Sequence, residues 1–244
     1  MLPQYEKLTE KKRLTDLPLL ERPKNVRLKF RKVGKLQYIS HLDLQRTFMR
    51  VIVRACIPAW YTKGFNPHAK LVFSSPLSVG AESEYEFLDI RIDRYMHPED
   101  IMNRLNGELT EELCITEAYF PKTEFSEIAW SDYEIRIHTA NGVTETVEKI
   151  KAALTSPMLV TKKTKAGEKE IDVIPLIHSF EIAEEDGNIR LFATLKATVG
   201  EFLNPELLIT GLRNKTGILS GDPTEEWYSI KRVALKKDDM SLFK

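Results

Sequence analysis

NVRLKFR, residues 25–31, alternates without a break: Val26, Leu28 and Phe30 fall on one side, Arg27, Lys29 and Arg31 on the other. Successive side chains leave a strand on opposite faces, so this pattern specifies a half-buried strand. The residues after it fix the fold around it. Gly34 and Lys35 turn the chain. Ser40 then precedes HLDLQRTFMRVIVRAC, with Asp43 three positions on, a variant of the capping box that opens a helix. Leu44, Phe48, Val51, Ile52 and Ala55 give that helix one apolar face, and Pro58 ends it. Residues 60–61 and 70–73 read as strand pieces and 85–93 (YEFLDIRID) as a full strand. A second helix is expected over 97–109 and a fourth strand over 114–120. The order is β-α-β-β-α-β, the split βαβ or ferredoxin-like unit.

The same order recurs. DYEIRIH (132–138) alternates as a strand, and 144–154 places Val147, Ile150 and Leu154 in helical register. The lysine-rich TKKTKAGEKE, centred on Ala166-Gly167, reads as a protruding hairpin. Strands over 180–183 and 189–197 flank Glu185-Asp186-Gly187-Asn188, a strong hairpin signal. A short helix from Pro205 to Leu212 and a strand over 226–235 close the unit. The sequence therefore predicts an α+β chain of two tandem ferredoxin-like (βαββαβ) units. A polar lead-in covers 1–24, the first unit 25–124, and the second 125–244, with a hairpin insertion near 158–174.

With 42% hydrophobic and 30% charged residues, the 244-residue chain has the composition of a soluble globular protein. No apolar run approaches the ~18–20 residues of a membrane helix. The first 25 residues lack the apolar core of a signal peptide. Cys56 and Cys114 stand apart, which argues for a reducing compartment, the cytoplasm, and against a disulfide framework, a cysteine-held iron–sulfur cluster or a Cys-type zinc site. The five histidines show no HxH or HExxH spacing, and neither GxGxxG nor a Walker A pattern occurs. No metal and no cofactor is predicted.

The net charge is zero, yet its distribution is polarised. Residues 22–81 hold twelve bases against one acid, Asp43, a balance of +11; residues 82–132 hold fourteen acids against four bases, a balance of −10. Such a chain either presents a basic surface to an anionic polymer or neutralises itself in space. On the first strand, Arg27, Lys29 and Arg31 face Asp89, Arg91 and Asp93 of the third, and cross-strand pairing could absorb them. On the first helix, Arg46, Arg50 and Arg54 recur at i, i+4 and i+8, a stripe whose mutual repulsion favours an anion lying across it.

Two further clusters are candidate sites. Tyr38, His41 and Asp43 gather at the mouth of the first helix, where His41 could act as a general base; Ser40 and Asp43 are equally what a helix cap requires. KGFNPHAKLVFSSPLSVG (63–80) combines Lys63, Phe65, Asn66, His68 and Lys70 with hydroxyls and glycines. Aromatics interleaved with bases, Trp60 and Tyr61 included, suit single-stranded RNA, on which bases stack at ~1–3 kcal/mol each. A structured crossover with core aromatics is the plainer reading. NKTGILSGDP (214–223) is a second glycine-bearing loop that could admit a phosphate.

YISHLDLQR (38–46), GFNPHAKLVFSSPLSVG (64–80) and EYEFLDI (84–90) together resemble the uncharacterised domain found beside, or fused behind, B12-type radical-SAM proteins in bacteria. The resemblance runs from about Val26 onward and is densest in the first half. It implies RNA or ribosome business and a radical-SAM partner, which must be a separate polypeptide because CxxxCxxC is absent here. The architecture is loosely similar to CRISPR repeat-processing endoribonucleases, in which His41, Tyr38 and Lys63 would be cast as the cutting residues, and in part to tRNA pseudouridine synthases. The expected function is an RNA-binding accessory module for tRNA, rRNA or ribosome-related processing. Arg46, Arg50, Arg54, Lys63, Phe65, Asn66, His68 and Lys70 would contact the RNA. An RNA-directed enzyme using His41, with Tyr38 or Asp43, and a protein–protein adaptor with 82–132 as docking face are the alternatives.

Overall fold

The computed structural model describes residues 18–75, 77–140, 142–164 and 167–244; residues 1–17 of the lead-in and Ala166 of the hairpin centre lie outside the described residues. The fold is mixed α+β, with antiparallel pairing between the strands within each unit and four α-helices among the described residues. The chain divides into two compact units. Described residues up to Phe125, with Lys244, form one; Ser126–Phe243 form the other.

The first unit contains, in order, β1 (Lys24–Lys32), α1 (His41–Arg54), β2 (Leu71–Phe73), β3 (Ala81–Ile92), α2 (Pro98–Asn106) and β4 (Leu113–Tyr119). β1 sits between β3 and β4, and β2 adds to β3, giving the order β4-β1-β3-β2. The alternation of β1 does its expected work on one face. Val26, Leu28 and Phe30 are fully buried against Leu44, Phe48, Val51 and Ile52 of α1 and Ile101 and Leu105 of α2. Each such side chain contributes about 1.5–3 kcal/mol by leaving water. Phe30, Phe48 and Phe73 meet edge to face, with Phe30 and Phe48 at 5.1 Å. At the head of α1 the Ser40 hydroxyl accepts from Asp43 N at 3.1 Å and donates to Asp43 Oδ2 at 2.7 Å. Past its end, Cys56 takes a left-handed φ of 52° ahead of Pro58, in the position where glycine is usual. A 3-10 turn over Gly34–Tyr38, which the sequence pattern does not announce, links β1 to this helix.

The opposite face of β1 departs from a row of exposed cations. Arg27 is only 1% exposed. Its Nε and Nη2 donate to the two carboxylate oxygens of Asp89 at 2.7 and 2.9 Å, and Nη1 and Nη2 reach the Thr123 hydroxyl and carbonyl at 2.8 and 3.0 Å. Phe125 covers the guanidinium at 4.2 Å. Lys29 finds its partner on β4 and not on β3, because Phe87 stands opposite it in the β1–β3 register. Its Nζ lies 2.7 Å from Glu117 and 4.2 Å from the Tyr85 ring centre. Arg31 Nε donates to Glu111 O. The alternating cations Arg27, Lys29 and Arg31 are thus met by acids and carbonyls from 82–132.

The second unit contains β5 (Trp130–His138), α3 (Val143–Leu154), β6 (Leu159–Thr164), β7 (Gly167–Asp172), β8 (Ile177–Glu185), β9 (Asn188–Lys196), α4 (Pro205–Thr216) and β10 (Trp227–Lys236). Its strand order is β10-β5-β9-β8, and β6 and β7 pair with each other as a separate two-stranded sheet. Asp186 and Gly187 both have positive φ (50° and 74°), as a two-residue type I′ hairpin requires. Gly211 on α4 permits a close approach: a Cβ there would come within 2.8 Å of Met158 Sδ.

Removing one partner of a buried ion pair strands the other, so Arg27→Ala should lower the unfolding free energy by about 3–5 kcal/mol in urea titrations. A loss below about 1 kcal/mol, the level of a surface pair, would remove this network from the account of the fold. A second expectation concerns alkaline pH. Burial pushes the Tyr119 phenol up to about 12, and burial with the hydrogen bond to Glu206 does the same for Tyr228. Between pH ~10 and ~12 the unfolded phenols have lost protons that the folded ones retain, so stability is intact below pH ~10 and falls as pH rises toward 12. Urea midpoints measured across that range should show the decline. Tyr119→Phe should make it shallower, leaving the share of Tyr228, at no cost near pH 8, since the Tyr119 hydroxyl is buried without a hydrogen-bond partner.

Candidate nucleic-acid interface

The three residues at the mouth of α1 do not form a catalytic cluster. Asp43 is engaged by the Ser40 hydroxyl and by Arg46, which hold its carboxyl below the usual carboxylate range. The exposed His41 packs its ring edge-on against Phe73 at 4.9 Å. Tyr38 is 68% exposed, and among the described residues no hydrogen bond joins His41 to Tyr38 or Asp43.

The arginine stripe is partly spent. Arg46 Nη1 is 3.3 Å from Asp43, with both side chains largely solvated. Arg54 grips the loop after α2, through the Glu108 carboxylate and carbonyl, each at 3.1 Å. Arg50 is exposed and has no ion-pair partner among the described residues.

The 63–70 stretch forms a closed tip. Thr62 N donates to His68 O at 2.9 Å, His68 N donates to Thr62 Oγ1 at 3.2 Å, and Tyr61 bridges to Ala69. His68 Nδ1 lies 3.1 Å from Asn66 O, which can only accept, and 3.2 Å from the Thr62 hydroxyl, which can donate or accept, so either ring tautomer finds a partner there. The tip, Lys63 to Pro67, is exposed, with Phe65 projecting fully into solvent; Gly64, at φ 135°, makes the turn. The aromatic at the apex is therefore not core.

Lys70, at the base of the tip, opens onto a surface that the sequence reading did not assemble. A cleft of about 730 Å³ lies on the sheet face away from the helices. Lys24, Asn25 and Arg27 come from β1, Lys70 and Val72 from the β2 region, Asp89 and Arg91 from β3, and Phe120 to Phe125 from the segment that folds back over β1. Asp89 is already committed to Arg27. The cations Lys24, Lys70, Arg91 and Lys122 remain, with Glu124 as the other acid in the lining. Flat rings accompany them. The Arg91 guanidinium lies 5.8 Å from the Trp60 ring centre and donates to Asn25 Oδ1 at 3.1 Å. Lys24 Nζ sits about 6 Å from both Tyr95 and Phe120, half-exposed rings tilted against each other at 6.4 Å. Of the residues singled out from sequence, the structure brings Lys70 into this surface and sets Trp60 beside it, against Arg91. Lys24, Tyr95, Arg91, Phe120 and Lys122 were missed as contacts. The strand alternation of 85–93 did place Arg91 beside Asp89, and it was the available signal.

Among the described residues no group of three or more His, Cys, Asp or Glu side chains is placed to hold a metal ion, and no helix is long and apolar enough to cross a membrane. No curated protein matches the chain in sequence. A solved structure of an unknown protein from Galdieria sulphuraria aligns with 87% of this chain and 99% of its own at 10% identity and a TM-score of 0.27, a likeness too weak to carry an argument. Residues 25–205, which include the exposed tip and, apart from Lys24, all of β1 and the cleft lining, match one bacterial family, and the chain belongs to it: the family described as uncharacterized protein conserved in bacteria (DUF2344).

Proposed function

We propose that this protein is an RNA-binding accessory module whose first unit holds a single strand in the cleft between Lys70, Arg91, Lys24 and Lys122. The observation that carries the reading is the gathering of unspent cations and Phe120 on one concave surface, with the flat rings of Trp60 against Arg91 and Tyr95 against Lys24 beside it. Ammonium and guanidinium groups neutralise phosphates, and the rings accept bases without regard to sequence. Phe65 and Lys63 at the tip, with Arg50 on α1, extend the contact surface; Arg46 and Arg54, already paired, contribute less. Both units are read as ferredoxin-like, a proposal supported by strand orders β4-β1-β3-β2 and β10-β5-β9-β8 with a helix in each crossover. A cytoplasmic setting and a separate radical-SAM enzyme acting on the same tRNA, rRNA or ribosome-related substrate rest on the sequence resemblance and on the two unpaired cysteines. RNA cleavage by His41 has less support, because its ring is packed on Phe73 and no base or acid among the described residues is hydrogen-bonded to it.

The test is fluorescence anisotropy with a labelled single-stranded RNA of roughly 12 nucleotides, a matched duplex and a matched DNA. Four phosphate contacts predict a slope of log K against log salt near −3, about −0.7 for each. Lys70→Ala and Arg91→Ala should each weaken binding and flatten that slope, whereas Phe65→Ala should weaken it with the slope unchanged. Absence of saturable binding at about 50 mM salt, or wild-type affinity in both cation variants, would sink the assignment.

A further inference from the structure

The outer edge of β4 is left unused by the nucleic-acid reading. β4 ends the order β4-β1-β3-β2, so one row of its backbone N–H and C=O groups points away from β1. At Ile115 that row is satisfied by a side chain: the Asn106 amide donates to Ile115 O and accepts from Ile115 N, both at 2.8 Å. These are the two bonds that a neighbouring strand would make. Beyond Ile115, no hydrogen bond outside the β1–β4 ladder reaches the backbone of residues 116–120 among the described residues. A groove of about 880 Å³ runs beside them instead, lined by Thr116, Ala118 and Phe120 of the edge and by Pro98 and Met102 of α2. Lys122 and Lys244 bring two ammonium groups to it, and Glu99 and Glu117 two carboxylates.

We propose that this groove binds an extended segment of a partner protein as an added strand on β4. A sheet edge with free backbone groups is a template for another chain, and an apolar wall alongside it supplies the pockets that choose the side chains. Residues 116–120 offer about 3.4 Å of ladder each, roughly 17 Å in all, enough for a five-residue strand. Because strand side chains alternate, every second residue of the partner would enter the space between the edge and α2, where Met102, Pro98 and Phe120 ask for medium-sized apolar groups. A carboxylate, from an acidic residue or a chain terminus, would meet Lys122 and Lys244. Glu117 is held chiefly by Lys29 at 2.7 Å and lies 3.8 Å from Lys244 Nζ, so an incoming carboxylate shares Lys244 with Glu117 and finds Lys122 with no ion-pair partner among the described residues. The peptide ladder of alternating donors and acceptors, and the apolar α2 wall, fit a polypeptide and not a phosphate backbone. The site shares Lys122 with the cleft but needs none of Lys24, Lys70 or Arg91, so the variants that test the RNA-binding proposal leave it intact.

Random peptides displayed on phage, selected against the full chain, provide the probe. The selected peptides should alternate apolar residues and carry a carboxylate, and a synthetic copy should slow amide hydrogen exchange at residues 116–120. Thr116→Lys, at an exposed position, sets a cation on the edge and should weaken the peptide about tenfold or more. Met102→Asp should do the same from the opposite wall, and circular dichroism would check that both variants remain folded. Three results would overturn the proposal: no enrichment; a selected peptide indifferent to Thr116→Lys; or binding without protection of the 116–120 amides. Protection of those amides by the single-stranded RNA instead would assign the groove to nucleic acid.

Discussion

The guanidinium of Arg27 is a full charge held out of water in the middle of a sheet, and much of the first unit is arranged around that cost. A buried cation is tolerable only when its donors are filled. Asp89, directly opposite in the β1–β3 register, takes two of them in the bidentate geometry that suits a carboxylate. The remaining contacts must come from elsewhere, and Thr123 and Phe125 supply them from the segment that leaves β4. The pair therefore fixes the β1–β3 register and draws the following chain back over the sheet.

That return has consequences for the site. By covering Arg27, residues 120–125 turn an open sheet face into a cleft with a wall, and they carry Phe120 and Lys122 to its rim. With Asp89 consumed internally, Arg91 two residues along the same strand face is left to Trp60 and Asn25, where a phosphate could approach it. The same residues 120–123 also close one end of the groove along β4. One buried ion pair thus shapes two surfaces of different character, one cationic and aromatic, the other apolar with a free backbone edge.

The local elements were readable from the sequence because each is set by short-range patterns. The alternation in 25–31, the Ser40–Asp43 cap and the Asp186-Gly187 turn all appear in the structure, with boundaries moved by a few residues. The balance of charge was readable only as two alternatives. Whether Lys29 meets an acid depends on which strand flanks it and on a register that places Phe87, not an acid, across β3, and neither is encoded locally. The cleft was hidden for a related reason. Its cations come from positions 24, 70, 91 and 122, too far apart for any window of sequence to gather, whereas the arginines of α1 stand at regular spacing and draw attention out of proportion to their freedom.

The shared residues 120–123 bear on how the two proposed sites would behave together. Phe120, Lys122 and Thr123 line both the cleft and the groove, and Thr123 is tied through Arg27 to the centre of the sheet. A ligand that draws Lys122 toward phosphate removes a cation from the groove, and a carboxylate in the groove removes it from the cleft. Because coupling between two ligands is reciprocal, each would weaken the other by the same factor. The magnitude is bounded by one mobile lysine exchanging partners, on the order of 1 kcal/mol or less for an exposed ion pair. A larger coupling would require the 120–123 segment itself to move, and its anchor on a buried guanidinium resists that. Were both proposals to hold, near-independent occupancy would follow: an RNA strand and a partner segment held at once, on either side of one short stretch of chain.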